Sequence, residues 1–408
     1  MKPLRTSFAL LALCAASSLF AAADQPAAPA SLEDAFAKGK FSFNARLRYE
    51  YADQENLRES NAFTLRSRFG FTTAPVAGLQ GMIEGENIAI LNHADDYNAA
   101  GTNPGGAGRT AIADPAVTDV NQAWLGFTLD KTTVKAGRQR IVLDTARFVG
   151  DVGWRQNAQT FDAATLTAKP TPTLSAFYGY VSKVSRVFGN KSPQPDFDSR
   201  SHLVNLAYSG LPAGTLTAYA YLLDFRNSAA NSSDTFGASF AGATPLTKTF
   251  KLTYRLEAAT QRDAGNNPVS YRARYYLAEL GGVVAPFDFG TGYEVLGSDN
   301  GRKGFATPLA TLHAFNGWTD LFLATPARGL RDAYASFGVT VVNGFPLKVV
   351  YHRYRSDVAS QDCGDEWDAQ LTHKIGKAWT LLAKYAAFNG KAPFFDTDKV
   401  WLQTEYNF

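Results

Sequence analysis

Apolar and polar residues alternate along much of this chain with a period of two. In residues 41–51 the odd positions are mostly aromatic or aliphatic, while the even positions include Arg46, Arg48 and Glu50. Residues 61–71 repeat the pattern, with Phe63 and Phe69 on the apolar side. Because successive side chains of a strand point to opposite faces, each segment predicts a β-strand with one apolar and one charged face.

The same alternation recurs to the C-terminus, and eighteen segments show it with varying clarity. Their connections alternate between short turns and longer loops, the longest of which spans 298–329. About 21 residues per strand and connection leave room for the ~9 to 11 residues that a tilted membrane-spanning strand needs. The pattern predicts an all-β transmembrane antiparallel barrel of about eighteen strands, with short periplasmic turns and longer extracellular loops.

A secreted β-sandwich or propeller is the competing fold, in which the apolar face would pack inward. Aromatic residues near the predicted strand ends favour the barrel, because such residues form girdles at membrane interfaces. These residues are Tyr49, Tyr51, Trp124, Trp379, Tyr385, Trp401 and Tyr406. The last predicted strand ends on Phe408, and a terminal aromatic residue of this kind resembles the signal read by the outer-membrane assembly machinery.

The N-terminus carries the order of features expected of a secretory signal peptide. Lys2 and Arg5 precede an apolar run that ends in three alanines at 21–23, which predicts cleavage after residue 23. Residues 24–40 are expected to form a periplasmic segment with a short helix starting after Ser31, and 41–408 the barrel. Cys363 would be the one cysteine of the mature chain, which excludes an intrachain disulfide.

Composition narrows the classes further. The chain is 45% hydrophobic and 19% charged, which excludes a disordered protein. After the signal no stretch approaches 18 consecutive apolar residues, which excludes a helical membrane protein. The 40 Lys and Arg against 37 Asp and Glu indicate no particular partner.

Strand parity predicts which charged residues face the lumen. Four arginines on two adjacent strands would create a local positive field, which favours an anion path, since rings of Arg or Lys select anions. The alternative is that these arginines pair with carboxylates and brace the barrel wall. The pore-lining residues predicted in this way are Arg46, Arg48, Arg66, Arg68, Asp162, Arg255, Arg272, Arg274 and Lys384.

The segment 137–162, GRQRIVLDTARFVGDVGWRQNAQTFD, is unusually rich in paired charges. Strict alternation from Val134 would point Arg138 and Arg140 into lipid, so we expect either a bulge at Gly137 or a position near the loop end. A loop folded into the pore as a constriction would explain the density of charge. The predicted constriction combines Arg66 and Arg68 with the loop 144–157.

Three stretches carry a resemblance to a known family: the segment 137–162, the later GYEVLGSDNGRKGFATPLATLHAFNGWTDLFLATPARGLRD and the opening FNARLRYEY. They resemble the alginate export family of outer-membrane porins. The resemblance implies an eighteen-stranded monomeric barrel with an arginine-rich constriction for anionic alginate. It also implies that Arg138, Arg147 and Arg155, with Gln156 and Asn157, occupy signature positions on the substrate path. The chain is shorter than the best-known exporter, and its predicted lumen charge is nearly balanced.

Catalysis, cofactors and nucleic acid find no support in the sequence. None of the five histidines lies in a Ser or Cys nucleophile motif. His93 beside Asp95 and Asp96 is more typical of a hydrated loop than of a dedicated metal site. Basic residues are scattered over strands, unlike those of a nucleic-acid-binding surface. We therefore expect no enzyme activity, no cofactor and no metal.

The predicted function is that of an outer-membrane porin in a Gram-negative bacterium, for passive transport of anionic or polar solutes. By resemblance, the solute is an anionic oligo- or polysaccharide such as alginate. A general diffusion porin is the first alternative, and a barrel-based surface enzyme or adhesin the second. The expected partners are outer-membrane lipid and lipopolysaccharide, the solute, the assembly machinery through Phe408, and periplasmic export proteins.

Overall fold

The computed structural model describes residues 31–103, 105–341 and 345–408. The signal peptide predicted over 1–23 lies outside the described residues. The expected short helix is confirmed as α1, Leu32–Ala37, where the Ser31 hydroxyl accepts a hydrogen bond from the Asp34 N–H at 3.1 Å. Within the three described ranges, no helix has both the length and the apolar character needed to cross a membrane.

Eighteen strands follow, which confirms the predicted number. Their bounds are β1 Lys40–Gln54, β2 Ser60–Thr72, β3 Leu79–Ile90, β4 Val117–Leu129, β5 Thr132–Gln139, β6 Thr160–Thr171, β7 Leu174–Ser185, β8 Asp196–Leu211, β9 Gly214–Leu223, β10 Ser233–Pro245, β11 Lys251–Asp263, β12 Arg272–Val284, β13 Phe287–Leu296, β14 Leu330–Val341, β15 Phe345–Arg355, β16 Asp362–Ile375, β17 Trp379–Gly390 and β18 Thr397–Asn407. Two 3₁₀ turns lie in connections, at Ala229–Asn231 and Leu312–Ala314.

The sheet closes into a barrel because each strand pairs antiparallel with the strands before and after it, and β1 pairs with both β2 and β18. The closure extends to the last residue. The Phe43 N–H donates to the Phe408 carbonyl at 3.1 Å, and the Phe408 N–H donates back at 2.9 Å. Closure lets backbone groups pair strand to strand without water, which is what a bilayer requires.

The outer face is apolar, as the alternation predicts. Phe69 and Leu125, for example, are 65% and 70% exposed on the outside of the barrel. Two of the predicted girdle residues are placed differently, however. Trp401 is fully buried on the lumen side of β18, and Lys135 lies 4.0 Å over the ring of Trp124, on the inner series of β4. Trp401 and Trp124 therefore point inward, whereas the residues next to them along their strands point toward lipid.

Besides the connection between β3 and β4, whose buried Asp114 reaches Arg48, two long connections fold into the barrel. We call residues 140–159, between β5 and β6, the first inward loop, and residues 297–329, between β13 and β14, the second inward loop. Phe148 of the first and Phe305 of the second pack against each other and against the inward ring of Tyr275. The lumen next to β6–β12 therefore contains a packed apolar core.

Candidate functional site

Four inward arginines on two adjacent strands form what we call the arginine wall: Arg46 and Arg48 on β1, and Arg66 and Arg68 on β2. Arg46 and Arg66 lie directly opposite each other in the strand pairing. Glu405 of β18 contacts both, accepting from Arg46 Nε at 3.0 Å and from Arg66 Nη2 at 3.1 Å. This shared carboxylate offsets the repulsion between the two guanidinium groups.

The other two members of the arginine wall have their own carboxylates. Arg48 lies 3.3 Å from Asp114 of the 91–116 loop, and Arg68 forms an ion pair with Glu86 of β3. Arg48 is 1% exposed and Arg68 is 6% exposed. Paired charges of this kind belong to the packed interior of the barrel rather than to an open water-filled surface.

The arginine wall also holds the backbone of the first inward loop. Arg46 donates to the carbonyls of Gly153 and Trp154 at 3.1 Å each, and Arg48 donates to the Trp154 carbonyl at 2.7 Å. Arg66 and Arg68 contact the carbonyl of residue 156 at 3.4 and 3.3 Å. These four side chains therefore satisfy carbonyls that the loop would otherwise leave without partners inside the barrel.

Arg155 extends from the first inward loop into a buried carboxylate cluster. Its guanidinium lies 3.0 Å from Glu50 of β1, 2.5 Å from Asp320 of the second inward loop and 3.8 Å from Asp114. Burial would lower the pKa of Arg155, but the three carboxylates outweigh it and raise that pKa above its usual value. Arg155 thereby joins both inward loops to the barrel wall.

A second cluster, built from rings, lies next to this ion-pair network. The Trp154 and His313 rings stack with centroids 4.4 Å apart, and the buried Trp401 packs edge-on against both. Lys384 Nζ lies 3.6 Å over the ring of Trp318 and 4.3 Å over that of Trp154. The cation is thus enclosed by aromatic faces, which attract it.

His313 is held in its neutral form by this arrangement. Its Nε2 lies 2.7 Å from Lys384 Nζ and its Nδ1 lies 2.7 Å from an Asp320 oxygen. A neutral ring that donates from Nδ1 and accepts at Nε2 satisfies both contacts, whereas a protonated ring would face the ammonium group with an N–H. Burial, together with the Lys384 charge, lowers the pKa of His313 well below its usual value.

The other end of the first inward loop is attached across the barrel. Arg147 donates to Glu294 of β13 at 2.6 Å and to Asn316 of the second inward loop at 3.0 Å. Asp144 pairs with Arg255 of β11 at 2.5 Å. The first inward loop therefore crosses the lumen from the arginine wall to β11–β13 and divides the interior.

Two cavities lie on either side of this division. One, of about 290 Å³, is lined by Arg46, Arg66, Arg68 and Arg140 together with Glu84 and Glu405, four arginines against two glutamates. The other, of about 410 Å³, runs along β11–β15 and carries four carboxylates, those of Glu279, Asp288, Glu294 and Asp332. It also contains Arg147, Arg255 and Lys348. We call them the arginine cavity and the acidic cavity.

The structure places the twelve predicted site residues in three environments. Eight lie inside the barrel: Arg46, Arg48, Arg66, Arg68, Arg147, Arg155, Arg255 and Lys384. Seven of these eight are at most 8% exposed, so their charges contact protein groups more than open space. Arg46 is the exception, with a side chain that is 11% exposed.

Arg138 and Asp162 form a partly exposed pair in the barrel wall, and Arg138 also lines a cavity of about 250 Å³ with Glu86 and Asn157. Arg138 continues the outward series of Val134 and Ala136, and it donates to Asp162 at 2.8 Å and to the Val120 carbonyl at 3.0 Å. Gly137 has a φ of +120°, a conformation that favours glycine, at the point where β5 separates from β4. The pair therefore lies in the wall near the extracellular end, one of the two arrangements expected from the sequence.

Arg272 and Arg274 are corrected from the lumen to the outer surface. Both are exposed and share the outward series of β12 with Tyr276 and Leu280, whereas Tyr275 on the other face is fully buried inside. The parity assignment was wrong here because the inner face of β12 is the apolar one. It packs against the inward loops.

Several residues of the site were not singled out from the sequence. Asp114, Trp154 and Trp318 lie in loops, where alternation gives no information about direction. Two signals were nevertheless present: Trp154 lies inside the charge-rich segment, and Arg140 is one of its four arginines. Arg140 does face the lumen, donating to Asn121 at 2.7 Å and lying 3.3 Å from Glu84.

A closed antiparallel barrel with an apolar outer face and a polar lumen constricted by inward loops is the architecture of outer-membrane porins. The family model described as alginate export matches residues 38–279, from just before β1 to Glu279 in β12. The chain belongs to the alginate export family. The matched range includes the first inward loop and ends before the second. No curated protein matches the sequence.

Solved channels share the fold at low sequence identity. Pseudomonas aeruginosa OccK9 (OpdG) aligns with a TM-score of 0.73 and 15% identity, over 92% of this chain and 99% of its own. Acinetobacter baumannii OccAB2 aligns at 0.72 and 13%, over 92% and 99%. Pseudomonas aeruginosa OpdK, solved with vanillate, aligns at 0.71 and 15%, over 91% and 99%. At these identities the similarity concerns the barrel itself.

Proposed function

We propose that this protein is a passive channel of the Gram-negative outer membrane for carboxylate-bearing solutes, with anionic oligo- or polysaccharides such as alginate as the class that its family indicates. The observation that carries the proposal is the arginine cavity, whose lining holds four guanidinium groups and two glutamate carboxylates. Glu86 and Asp151, which pair with Arg68 and Arg140, are not part of that lining. Guanidinium binds carboxylate through two parallel hydrogen bonds, which suits uronate groups. No bond is made or broken in the transport step.

Arg46 and Arg140 are the members of the arginine cavity that a solute reaches most easily. Their side chains are 11% and 25% exposed, against 1% for Arg66 and 7% for Arg68. Arg66 and Arg68 are too buried for direct contact with a solute, and they act on it only through the electrostatic field of their positive charges. A passing carboxylate would exchange water for brief contacts with the two exposed groups, and several weak sites conduct better than one strong site.

The experiment is a planar-bilayer recording of the mature protein under a salt gradient, followed by addition of oligouronate or a neutral oligosaccharide of equal length. We expect an anion-selective reversal potential and block by the oligouronate alone. Replacing Arg46 and Arg140 together by Ser should reduce the anion-to-cation permeability ratio about five-fold, equivalent to roughly 1 kcal/mol of lost attraction. The matched control is Arg200→Ser on the outer rim. An unchanged ratio in the double variant would show that the arginine cavity is off the path.

A general diffusion porin is the second candidate, and the acidic cavity favours it. Four carboxylates on the opposite side of the first inward loop give the interior both signs of charge, which weakens selection by charge. Weakly selective conductance that is indifferent to both sugars would support this candidate. Vanillate, solved with OpdK, is also a carboxylate, so a small aromatic acid belongs in the same recording as a third solute.

A further inference from the structure

Three arginines form a patch on the outside of the barrel near its extracellular rim, and we call Arg262, Arg272 and Arg274 the rim patch. Arg262 lies on the outward series of β11, with its side chain 56% exposed, and the other two lie on the outward series of β12. This surface is independent of the lumen and of the proposed transport function.

The rim patch differs from two other outward arginines of the rim in how it is paired. Arg200 pairs with Asp224 at 3.4 Å, and Arg226 pairs with Asp198. In the rim patch only Arg262 does so, with Asp234 at 3.1 Å.

Among the residues that the structure describes, Arg272 and Arg274 have no carboxylate oxygen within 4.0 Å of their guanidinium nitrogens. The nearest acidic groups are already engaged. Asp299 accepts from the backbone N–H of Arg272 at 3.2 Å and pairs with Arg302 at 2.6 Å, and Asp263 accepts from the Tyr271 N–H at 3.0 Å. The rim patch therefore carries an excess of positive charge.

The strand register brings the positive charges of the rim patch close together, which is unfavourable when no anion is bound. Arg262 and Arg272 are directly opposite each other in the pairing of β11 with β12, and like charges in that position repel. Arg274 follows two residues later on the same face. An external anion bound between them would offset the repulsion, and guanidinium groups bind phosphate through two parallel hydrogen bonds.

The surface below the rim patch identifies the kind of anion. Toward the periplasm the same outer face presents Phe236, Tyr276 and Tyr293, which are 41%, 47% and 47% exposed. Arg262 lies over the Phe236 ring at 6.0 Å. Aromatic residues mark the boundary between hydrocarbon and headgroups, so the arginines lie at headgroup level on the extracellular side.

We propose that the rim patch binds the phosphate groups of a lipopolysaccharide molecule in the outer leaflet, while the lipid's acyl chains lie against the aromatic residues beneath. The lipid joins both chemistries in one molecule: phosphates at headgroup height and hydrocarbon directly below. Arg272 and Arg274, which have no internal partner, supply most of the attraction.

The experiment compares the wild-type protein, the double variant R272S/R274S and the control variant R200S/R226S, all extracted from outer membranes in mild detergent. Copurified lipopolysaccharide is quantified per protein, and native mass spectrometry then measures binding of bisphosphorylated and dephosphorylated lipid A. At about a five-fold effect for each basic residue at a membrane surface, R272S/R274S should bind bisphosphorylated lipid A about 30-fold more weakly than wild type. The control variant should bind as wild type does.

Three results would overturn the proposal. The first is retention of lipid A by R272S/R274S at the wild-type level. The second is equal binding of phosphorylated and dephosphorylated lipid A, which would make the contact purely apolar. The third is displacement of the lipid by millimolar inorganic phosphate or short oligouronate, which would assign the patch to free anions. Because all four substituted side chains are exposed, heat-dependent gel mobility should show a folded barrel for every variant.

Discussion

Arginines inside this barrel and arginines on its rim occupy contrasting environments. The Arg48 and Arg155 side chains are 0% and 6% exposed and each contacts at least one buried carboxylate, whereas those of Arg200 and Arg226 are 53–56% exposed and pair at the surface. The chemical group is the same in both places. The difference lies in what remains when one partner is removed.

Inside, the most buried arginines, such as Arg48 and Arg155, belong to ion-pair networks in which water does not replace a missing member. Removing one of them leaves buried carboxylates with less counter-charge, which is more costly than the net stability of the intact pair. On the rim, water takes the place of the missing partner. The inward arginines therefore hold the two inward loops in place, and the outward arginines are available for contacts with other molecules.

The largest effect is expected for Arg155→Ala. This change leaves Glu50, Asp114 and Asp320 buried without their shared cation, and we expect a loss of about 3–5 kcal/mol in the free energy of unfolding. Tryptophan fluorescence of the folded protein in micelles, followed against urea, measures this loss, since Trp154 and Trp401 report on the cluster.

Arg155→Lys is the informative companion variant. Lysine restores the positive charge, but it lacks the planar guanidinium whose several N–H groups reach Glu50 and Asp320 together. We therefore expect part of the lost unfolding free energy to be recovered. If Arg155→Ala unfolds at the wild-type urea concentration, then Arg155 does not hold the loops and the contrast between inside and rim does not exist.

A smaller effect is expected for Glu366→Gln on β16. Glu366 is fully buried and accepts from the backbone N–H of Thr319 at 2.8 Å and from its hydroxyl at 2.6 Å, which holds the second inward loop. An amide keeps the shape but exchanges an acceptor for a donor, at a cost of about 1–3 kcal/mol.

The local readout for Glu366→Gln is protease cleavage within 297–329, with β16 itself still paired. We expect faster cleavage of this loop and larger single-channel conductance, because the loop occupies the lumen. Equal cleavage rates in variant and wild type would show that other contacts suffice to hold it.

The third prediction concerns pH and rests on His313. Its pKa is lowered in the folded protein by burial, so the unfolded chain binds a proton at a higher pH than the folded protein does. Stability from the neutral ring is fully present above the unfolded pKa of about 6.5 and falls as pH drops below it, by at most about 1.4 kcal/mol per pH unit.

The comparison that isolates His313 is between wild type and His313→Gln at pH 7.5 and pH 5.5. The difference in unfolding free energy between the two proteins should shrink as pH falls, because only the wild type loses the contribution of the neutral ring. A difference that is constant across this range would mean that His313 does not titrate between folded and unfolded states. The lowered pKa of Asp320, whose burial is outweighed by His313, Lys399 and Arg155, places its own effect below pH 4.

The fold was readable from the sequence because a membrane barrel imposes one rule on every strand. The lipid face must be apolar, so alternation reveals strand after strand, and the number eighteen followed directly. The inward direction of Arg46, Arg48, Arg66 and Arg68 followed from the same rule. How these side chains are paired did not, because Asp114 and the carbonyls of the first inward loop come from segments without periodicity.

The error at Arg272 and Arg274 shows where the rule fails. Parity assigns the polar series to the lumen on the assumption that the lumen contains water. At β12 the lumen contains Phe148 and Phe305 instead, so the inward series of Tyr271, Ala273 and Tyr275 is the apolar one. Nothing local to the strand indicates this, since it depends on where two distant loops fold.

The smallest effect is expected for Arg200→Ala on the rim, and it is the variant that completes the contrast with Arg155→Ala. Arg200 pairs with Asp224 at 3.4 Å, but its side chain is 56% exposed, so water solvates both charges in either state. Pairs of this kind contribute about 0–1 kcal/mol, and added salt weakens them further. In the same urea experiment we expect an unfolding midpoint close to that of the wild type, and closer still at 1 M salt. A loss comparable to that of Arg155→Ala would mean that the rim, too, depends on its ion pairs, and the contrast between buried and exposed arginines would not hold.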